Sequence, residues 1–571
     1  MRETRKRFDV WTNISLLIFV FYILFLALPL FTMLFKSVYN GTTGDFSLAY
    51  FTKFFSKPYY LNALFNSVKV TVSVTLLAAI IATPLAYIMA TVKIKGSSAI
   101  RVLILISSMS APFIGAYSWI LLLGRSGVIT KFVSSTFGIT MPDIYGFTGI
   151  LVVLTLQMVP LIFMYVSGAL KNMDQSLMEA AESMGYTGLA KMRKVLLPLI
   201  TPTLLAGGLL VFMRALADFG TPMLIGEGYK TVPVLIFNEF ISEVGGDDGF
   251  AAAISVIVVL FATTIFLLQK FVANRKSFTM SALHPIESKK KKGIGNIAAH
   301  AVIYLYTLIA LLPQLYVIYT SFLKSNGRIF VEGFSLQSYR DAFSNIGGVI
   351  LNTFFLAIVS LVVIILLAIL IAYVTVRRKN ALTNTLDIFT MFPYIVPGSI
   401  LGIALLITFN NKPLALSGTA VIMIISFVIR RLPYTIRSSA AILHQINDGI
   451  EEAAISLGAS QMKTFFRITL PMMLAGRRLR RDPELDYHHY RIKHFDHSVY
   501  RQNQDRHGCH IHRSHSRELR RGGSTVHDSY RHYGRVAARF PEALRTKGSF
   551  HVNVIVMKSY RRLTSKPAPA A

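Results

Sequence analysis

Two stretches of this chain carry the same residues at the same spacing, and what they offer is mechanical rather than covalent chemistry. The first reads "MDQSLMEAAESMGYTGLAKMRKVLLPLITPTLLAG" and the second "INDGIEEAAISLGASQMKTFFRITLPMMLAG". The shared positions are Glu179, Ala180, Ala181, Gly185, Val195, Leu197 and Pro198, matched by Glu452, Ala453, Ala454, Gly458, Ile468, Leu470 and Pro471. Glutamate and two alanines favour a short helix whose thin alanine surface lets a partner approach closely. The glycine then permits a sharp turn. A basic amphipathic stretch leads on to Leu-Pro, and proline suits the first turn of a following helix. The expected product is a pair of short levers related by a pseudo-twofold, fit to dock on a two-fold partner. The bland alternative, two amphipathic loops alike only through duplication, gives no reason for all seven positions to be kept.

Other candidates are weaker. Arg214 and Asp218 in "FMRALADFGTP" lie four apart, one above the other on a helix. They are expected to form an intramembrane charge pair whose members neutralise each other, with lining a pathway or bracing a gate near Gly220 and Pro222 as the alternative. The tract "HGCHIHRSHSRE" has metal-ligand residue types, but the lone cysteine, Cys509, excludes a disulfide framework or a thiolate cluster. No metal-ligand cluster stands out before residue 477.

The elements that must position these residues are membrane spans. The 571 residues are 53% hydrophobic with mean hydropathy +0.52, and apolar runs of about 20 residues recur along the chain. Spans are expected near 12–36, 67–91, 102–124, 147–169, 199–225 and 250–272, then near 298–322, 350–376, 385–410 and 416–436. The N-terminal run is too long for a signal peptide and has no small-residue cleavage site, so it reads as an uncleaved first span. Basic residues at Arg2, Arg5, Lys6 and Arg7, at Lys93 and Lys95, through 171–194, at Lys289–Lys292, and at Arg377 and Arg378 all fall on one side if the N-terminus is cytoplasmic. The net charge of +31 is therefore chiefly topology and gives no reason to expect a nucleic-acid partner. Pro84, Pro112, Pro160, Pro393 and Pro397 are expected to kink helices, and Tyr87 and Tyr373, at matching positions, to anchor at the interface. The segment "NSVKVTVSVTLLAAIIATPLAYIMATVKIKG" resembles "NTFFLAIVSLVVIILLAILIAYVTVRRKN", which marks an internal repeat.

On these residues the chain resembles the permease subunits of binding-protein-dependent ABC importers. It looks most like the fused ferric-iron type, through "APFIGAYSWILLLGRSG" and "ADFGTPMLIGEGYKTVPVLIFNEF". The resemblance implies an all-α polytopic membrane protein of two homologous type I ABC importer permease domains, about six helices each, in a bacterial inner membrane. It implies that the paired loops are coupling helices seated on two cytoplasmic ABC ATPase subunits, and that an extracytoplasmic solute-binding protein delivers the solute. ATP is then used by the partner subunits and no cofactor is bound directly, which agrees with the absence of a Walker A sequence. Ferric iron is the implied solute; thiamine, 2-aminoethylphosphonate and polyamine permeases share the layout. An ion-gradient transporter should instead show midplane ionisable residues and no paired loops, and a membrane scaffold would not need the loops.

The expected organisation is a first permease domain over 1–272, a cytoplasmic linker over 273–297, a second domain over 298–476 and an unrelated tail over 477–571. After Gly476 the chain turns hydrophilic, with 21 Lys and Arg, 8 Asp and Glu, and 11 of the 14 histidines. Codons for His, Tyr, Asp and Asn read one base downstream become Ile, Met or Thr codons, and Arg codons become Val or Ala among others. An allowed codon choice for residues 477 to about 536, shifted by one base, gives an apolar sequence patterned like residues 231–255. The reading is a single-base frameshift near residue 476, which leaves the second domain without its last two helices. Sequencing the DNA around that codon is expected to find spans encoded in the shifted frame; stop codons there would refute the frameshift.

Overall fold

The computed structural model describes residues 10–39, 44–241, 247–275, 286, 288–290, 293–326 and 329–479. Lys291 and Lys292, the four basic residues before Asp9, and all of the tail from Arg480 on, Cys509 and its histidines included, lie outside the described residues, as does part of the 273–297 linker.

Up to Gly476 the chain forms one compact unit. Its helices, in order, are α1 (Val10–Val38), α2 (Ala49–Ser56), α3 (Pro58–Thr91), α4 (Ser97–Ser107), α5 (Pro112–Leu123), α6 (Val128–Phe137), α7 (Phe147–Lys171), α8 (Gln175–Ser183), α9 (Met192–Leu216), α10 (Gly220–Ile225), α11 (Val232–Ile241) and α12 (Asp248–Arg275). The second half has α13 (Ile294–Ser321), an antiparallel hairpin of β1 (Leu323–Asn326) and β2 (Ile329–Phe334), α14 (Gln337–Arg377), α15 (Ala381–Phe389), α16 (Phe392–Ile395), α17 (Gly398–Phe409), α18 (Ala420–Leu443), α19 (Asp448–Ser456) and α20 (Leu470–Leu479). Among the described residues eight helices are long and apolar enough to cross a membrane, and the bent pair Ala381–Ile395 and Gly398–Phe409, at 110°, makes a ninth if it is one span.

Three expected spans are interrupted. The 102–124 run breaks between Ser107 and Pro112, the 199–225 run ends at Leu216 and restarts at Gly220, and the 385–410 run bends around Val396 and Pro397. The sequence explains the first and third breaks: a residue before proline avoids the helical region, and Ala111 and Val396 are both extended (ψ 137° and 120°). Of the five prolines expected to kink helices, Pro84 and Pro160 lie inside one, but Pro112, Pro393 and Pro397 stand at helix starts. Proline has no N–H to lose there, so it begins a helix more readily than it bends one.

A second proline effect recurs. A five-residue π turn precedes Leu28-Pro29, Leu197-Pro198 and Leu470-Pro471, at Ile23–Ala27, Met192–Leu196 and Phe465–Thr469. The proline ring would strike the carbonyl four residues back in a regular helix; widening one turn removes the clash without ending the helix.

In both halves the two long spans α3 and α7, and α14 and α18, pack lengthwise as pairs. The first span of each half then lies against the other half. Helix α1 packs on α12 of its own half and also on α14, α15 and α17, whereas α13 packs on α3, α4 and α5. Trp11 sits between Tyr373 and Phe465, with ring centroids 4.5 and 5.0 Å away. Phe25 meets Phe409 at 5.5 Å. On the reciprocal side Tyr304 Oη donates to the Lys95 carbonyl at 3.1 Å and Gln314 Nε2 to the Ser107 carbonyl at 3.0 Å. The two large apolar cores follow this exchange: one joins Trp11–Met33 to the second half, the other joins Ile303 and Ala310 to the first.

Replacing Trp11, 1% exposed, with alanine removes the ring from this contact at a cost of about 3–5 kcal/mol. Trp11→Ala is expected to lower the melting temperature of the detergent-solubilised protein, while Leu17→Ala, at a position 71% exposed, leaves it unchanged.

Candidate functional site

The paired motif residues build two copies of one device. Helices α8 and α19 are each nine residues long. Asp174 and Asn447 cap their N-termini through side-chain bonds from the backbone N–H groups of Ser176 and Gly449, both 2.9 Å. Each C-terminus closes the same way. Tyr186 N–H bonds back to the Ala181 carbonyl and Ala459 N–H to that of Ala454, around Gly185 at φ +82° and Gly458 at φ +86°. Only glycine takes that φ without strain, so both glycines are fixed by backbone geometry.

Side-chain placement matches too. Glu179 and Glu452 are exposed, as are Ala180 and Ala453, while Ala181 and Ala454 are buried. Val195 and Ile468, and Leu197 and Leu470, are half-buried, and Pro198 and Pro471 are exposed. Both helices also present large apolar side chains outward at matching places: Leu177 and Met184 on one, Ile450 and Leu457 on the other. Leu457 is 83% exposed and Met184 71%; paired apolar tips of this kind mark a contact surface.

The anchoring of the two copies differs. Buried Glu451 receives hydrogen bonds from Tyr373 Oη at 3.0 Å and Thr469 Oγ1 at 2.9 Å, with Arg377 Nε 3.4 Å away. Arg377 also pairs with Asp448 and donates to the Leu443 and Ile446 carbonyls at the end of α18. Tyr373 is thus a latch rather than the interface anchor expected from its sequence position. In the first copy Met178 stands where Glu451 does. There Lys191 pairs with Glu182 at 2.5 Å, and the hydrogen bond and charge of that ammonium hold the Glu182 carboxyl below the usual carboxylate range. With Lys191 buried and Glu182 exposed, the pair's contribution is present above the ordinary glutamate range and fades as pH falls through the lowered value. The linker is tied to the end of α3 nearby: Lys289 N–H donates to the Thr91 carbonyl and Lys93 N–H to the Lys289 carbonyl, at 3.0 and 3.1 Å.

The second feature is a cavity of about 310 Å³ where the two halves meet. Its lining includes Gln157, Arg214, Asp218, Tyr394, Arg430, Arg431 and Tyr434. Arg214 and Asp218 share the cavity, with no direct ion pair between them among the described residues. Helix α9 ends at Leu216, so the one-turn stacking is lost; Asp218 Oδ1 instead accepts from Thr221 N–H at 3.0 Å and caps α10. Arg430 and Arg431 were missed in the sequence, although two adjacent charges inside the expected 416–436 span were the available signal. Among the described residues no three His, Cys, Asp or Glu side chains come together to hold a metal ion.

Removing the buried carboxylate of Glu451 leaves Tyr373 Oη and Thr469 Oγ1 without their acceptor and Arg377 with Asp448 as its remaining counter-charge, at a cost of about 1–3 kcal/mol. Glu451→Ala is expected to speed hydrogen exchange across α19 well beyond the effect of Glu452→Ala, whose side chain faces out.

Over residues 12–278 and 364–476 the chain matches the family described as binding-protein-dependent transport system inner membrane component. A putative ferric transport system permease protein, FbpB 1, of Haemophilus influenzae is 29% identical over 476 residues, covering 81% of this chain and 73% of the relative. The ferric transport system permease protein FbpB of Actinobacillus pleuropneumoniae is 26% identical over 483 residues, covering 82% and 68%. A putative 2-aminoethylphosphonate transport system permease protein, PhnU, of Salmonella typhimurium is 23% identical over 248 residues, covering 43% and 86%. A bacterial ABC transporter involved in importing the acidic polysaccharide alginate has a component of similar shape, with TM-score 0.41 and 16% identity over 47% of this chain and 96% of that one. With more than half its length inside the family pattern, the chain belongs to the binding-protein-dependent inner-membrane permeases of ABC importers and is close to the ferric type.

Proposed function

We propose that this chain is the pathway-forming subunit of an ATP-driven importer for ferric iron, made of two homologous domains. In this reading α8 and α19 face the cytoplasm, on the same side as the N-terminus, and seat on two separate ABC ATPase subunits that bind and hydrolyse ATP. A binding protein outside the membrane delivers the solute to the opposite face, and the ATPases' closure swings the levers to switch access to the cavity. The observation that carries this is the matched pair of levers: same length, same caps, same buried alanine, same outward apolar tips. The ferric assignment is supported by the two ferric permeases, each matching over about four-fifths of the chain; the shorter PhnU match favours 2-aminoethylphosphonate as the second reading.

We also propose that the chain as written is defective. The family match stops at residue 476, where the frameshift is inferred. Arginine or lysine at mid-span costs ~3 kcal/mol apiece on insertion scales, so "RRLRRDPELDYHHYRIKHF" is unsuited to the fifth span of the second domain. Levers on residues before Gly476 are untouched, so ATPase docking and transport separate. Purified chain is expected to bind its ATPase and raise its hydrolysis rate. Replacing Glu179, Gly185, Glu452 and Gly458 together should abolish that stimulation, and normal stimulation by the fourfold variant would overturn the reading. Cells relying on this chain alone are expected to show no uptake.

A further inference from the structure

The charge of the interior cavity bears on what passes through it. Three guanidinium groups, Arg214 on α9 and Arg430 and Arg431 on α18, line it, and Asp218 is the one acid among its lining residues. Asp218 already serves Thr221 N–H, and Arg430 Nη1 donates to the Val396 carbonyl at 3.2 Å. Gly398 makes room for this: a methyl group there would lie 2.8 Å from the Arg430 guanidinium carbon. Arg214 and Arg431 have neither an ion pair nor a hydrogen bond among the described residues. Unpaired arginines inside a membrane protein are costly, and they persist where they face a pathway that supplies their counter-charge. A bare trivalent cation would be repelled by all three and would find one carboxylate to bind it. An oxyanion suits the guanidinium fork directly, and an oxyanion that ligates a metal ion still has outer oxygens to offer. The phenols of Tyr394 and Tyr434, with ring centroids 4.7 Å apart, add neutral donors to the same wall.

We propose that this cavity receives its solute as an oxyanion, free or still bound to its metal ion, held between Arg214, Arg430 and Arg431. This rests on the cavity being the transport pathway of the importer proposed above. It narrows the solute to species of net negative charge at the point of passage.

The test is calorimetric titration of the full-length chain in lipid nanodiscs with inorganic phosphate, with citrate, and with the anionic ferric–citrate complex. Saturable binding of at least one is expected, weakened about tenfold or more in Arg214→Gln and in Arg431→Gln, largely kept in Arg431→Lys, and unchanged in Lys131→Gln, outside the cavity lining. Phosphate or citrate binding alone assigns the site to free oxyanions; binding of the ferric complex alone assigns it to the metal-bound form. No saturable binding, equal loss in Lys131→Gln, or arginine-to-glutamine variants that bind like the parent would overturn the proposal. ATPase stimulation, measured on the same variants, stays normal if the lever reading holds, so failure here is distinguishable from failure there.

Discussion

In a hydrocarbon layer every backbone N–H and C=O needs a partner supplied by the protein, and the architecture of this permease follows from how it meets that demand at broken spans. Breaking a helix near mid-membrane opens a place where a solute can sit, but it frees carbonyls that water does not reach. Three side chains from neighbouring spans answer. Gln314 serves Ser107, Gln157 serves Ser110 at 3.5 Å, and Arg430 serves Val396. Ser110 and Val396 each stand two residues before a twelve-residue helix, and Gln157 and Arg430 each three residues before a proline of their span. The same backbone problem thus arises at corresponding places and is solved by a neutral amide in one half and a cation in the other. The repair of a broken helix is also what gives the cavity part of its charge.

The levers show the same division between shared shape and unequal support. Caps, turns and exposed tips agree, so each presents the same surface. Their roots do not: α19 is tied through Glu451 and Arg377 to α14 and α18, and α8 through the single pair of exposed Glu182 with buried Lys191. Separating a buried charge from its partner is expensive, so the several links of Glu451 and Arg377 hold geometry more tightly than one pair does. A push on α19 is therefore carried stiffly to Tyr373 and through it to Trp11, while α8 has more freedom to tilt.

Much of this was legible in the residues. Apolar run length located the spans because bilayer thickness sets that length. The glycine turns and buried alanines were legible because backbone sterics act locally on Gly185, Gly458, Ala181 and Ala454. What escaped depends on distant contacts. Nothing near Met178 or Glu451 distinguishes a soft root from a stiff one, and the exchange of α1 and α13 involves residues hundreds of positions apart. The Arg214–Asp218 spacing located two residues of the cavity, but not the end of the helix at Leu216 that lies between them. Arg430 and Arg431 were visible but unweighed, since the span around them reads as apolar on average.

The exchanged first helices bear on how the molecule is made. Helix α1 leaves the ribosome first, yet Tyr373, Phe465 and Phe409, which cover Trp11 and Phe25, are synthesised only near the end. Until then that aromatic face lacks these neighbours and α1 has only its own half, α12 included, to pack on. Tying both halves into one polypeptide keeps each waiting helix within reach of its eventual neighbour, making assembly an intramolecular event instead of a search through the membrane.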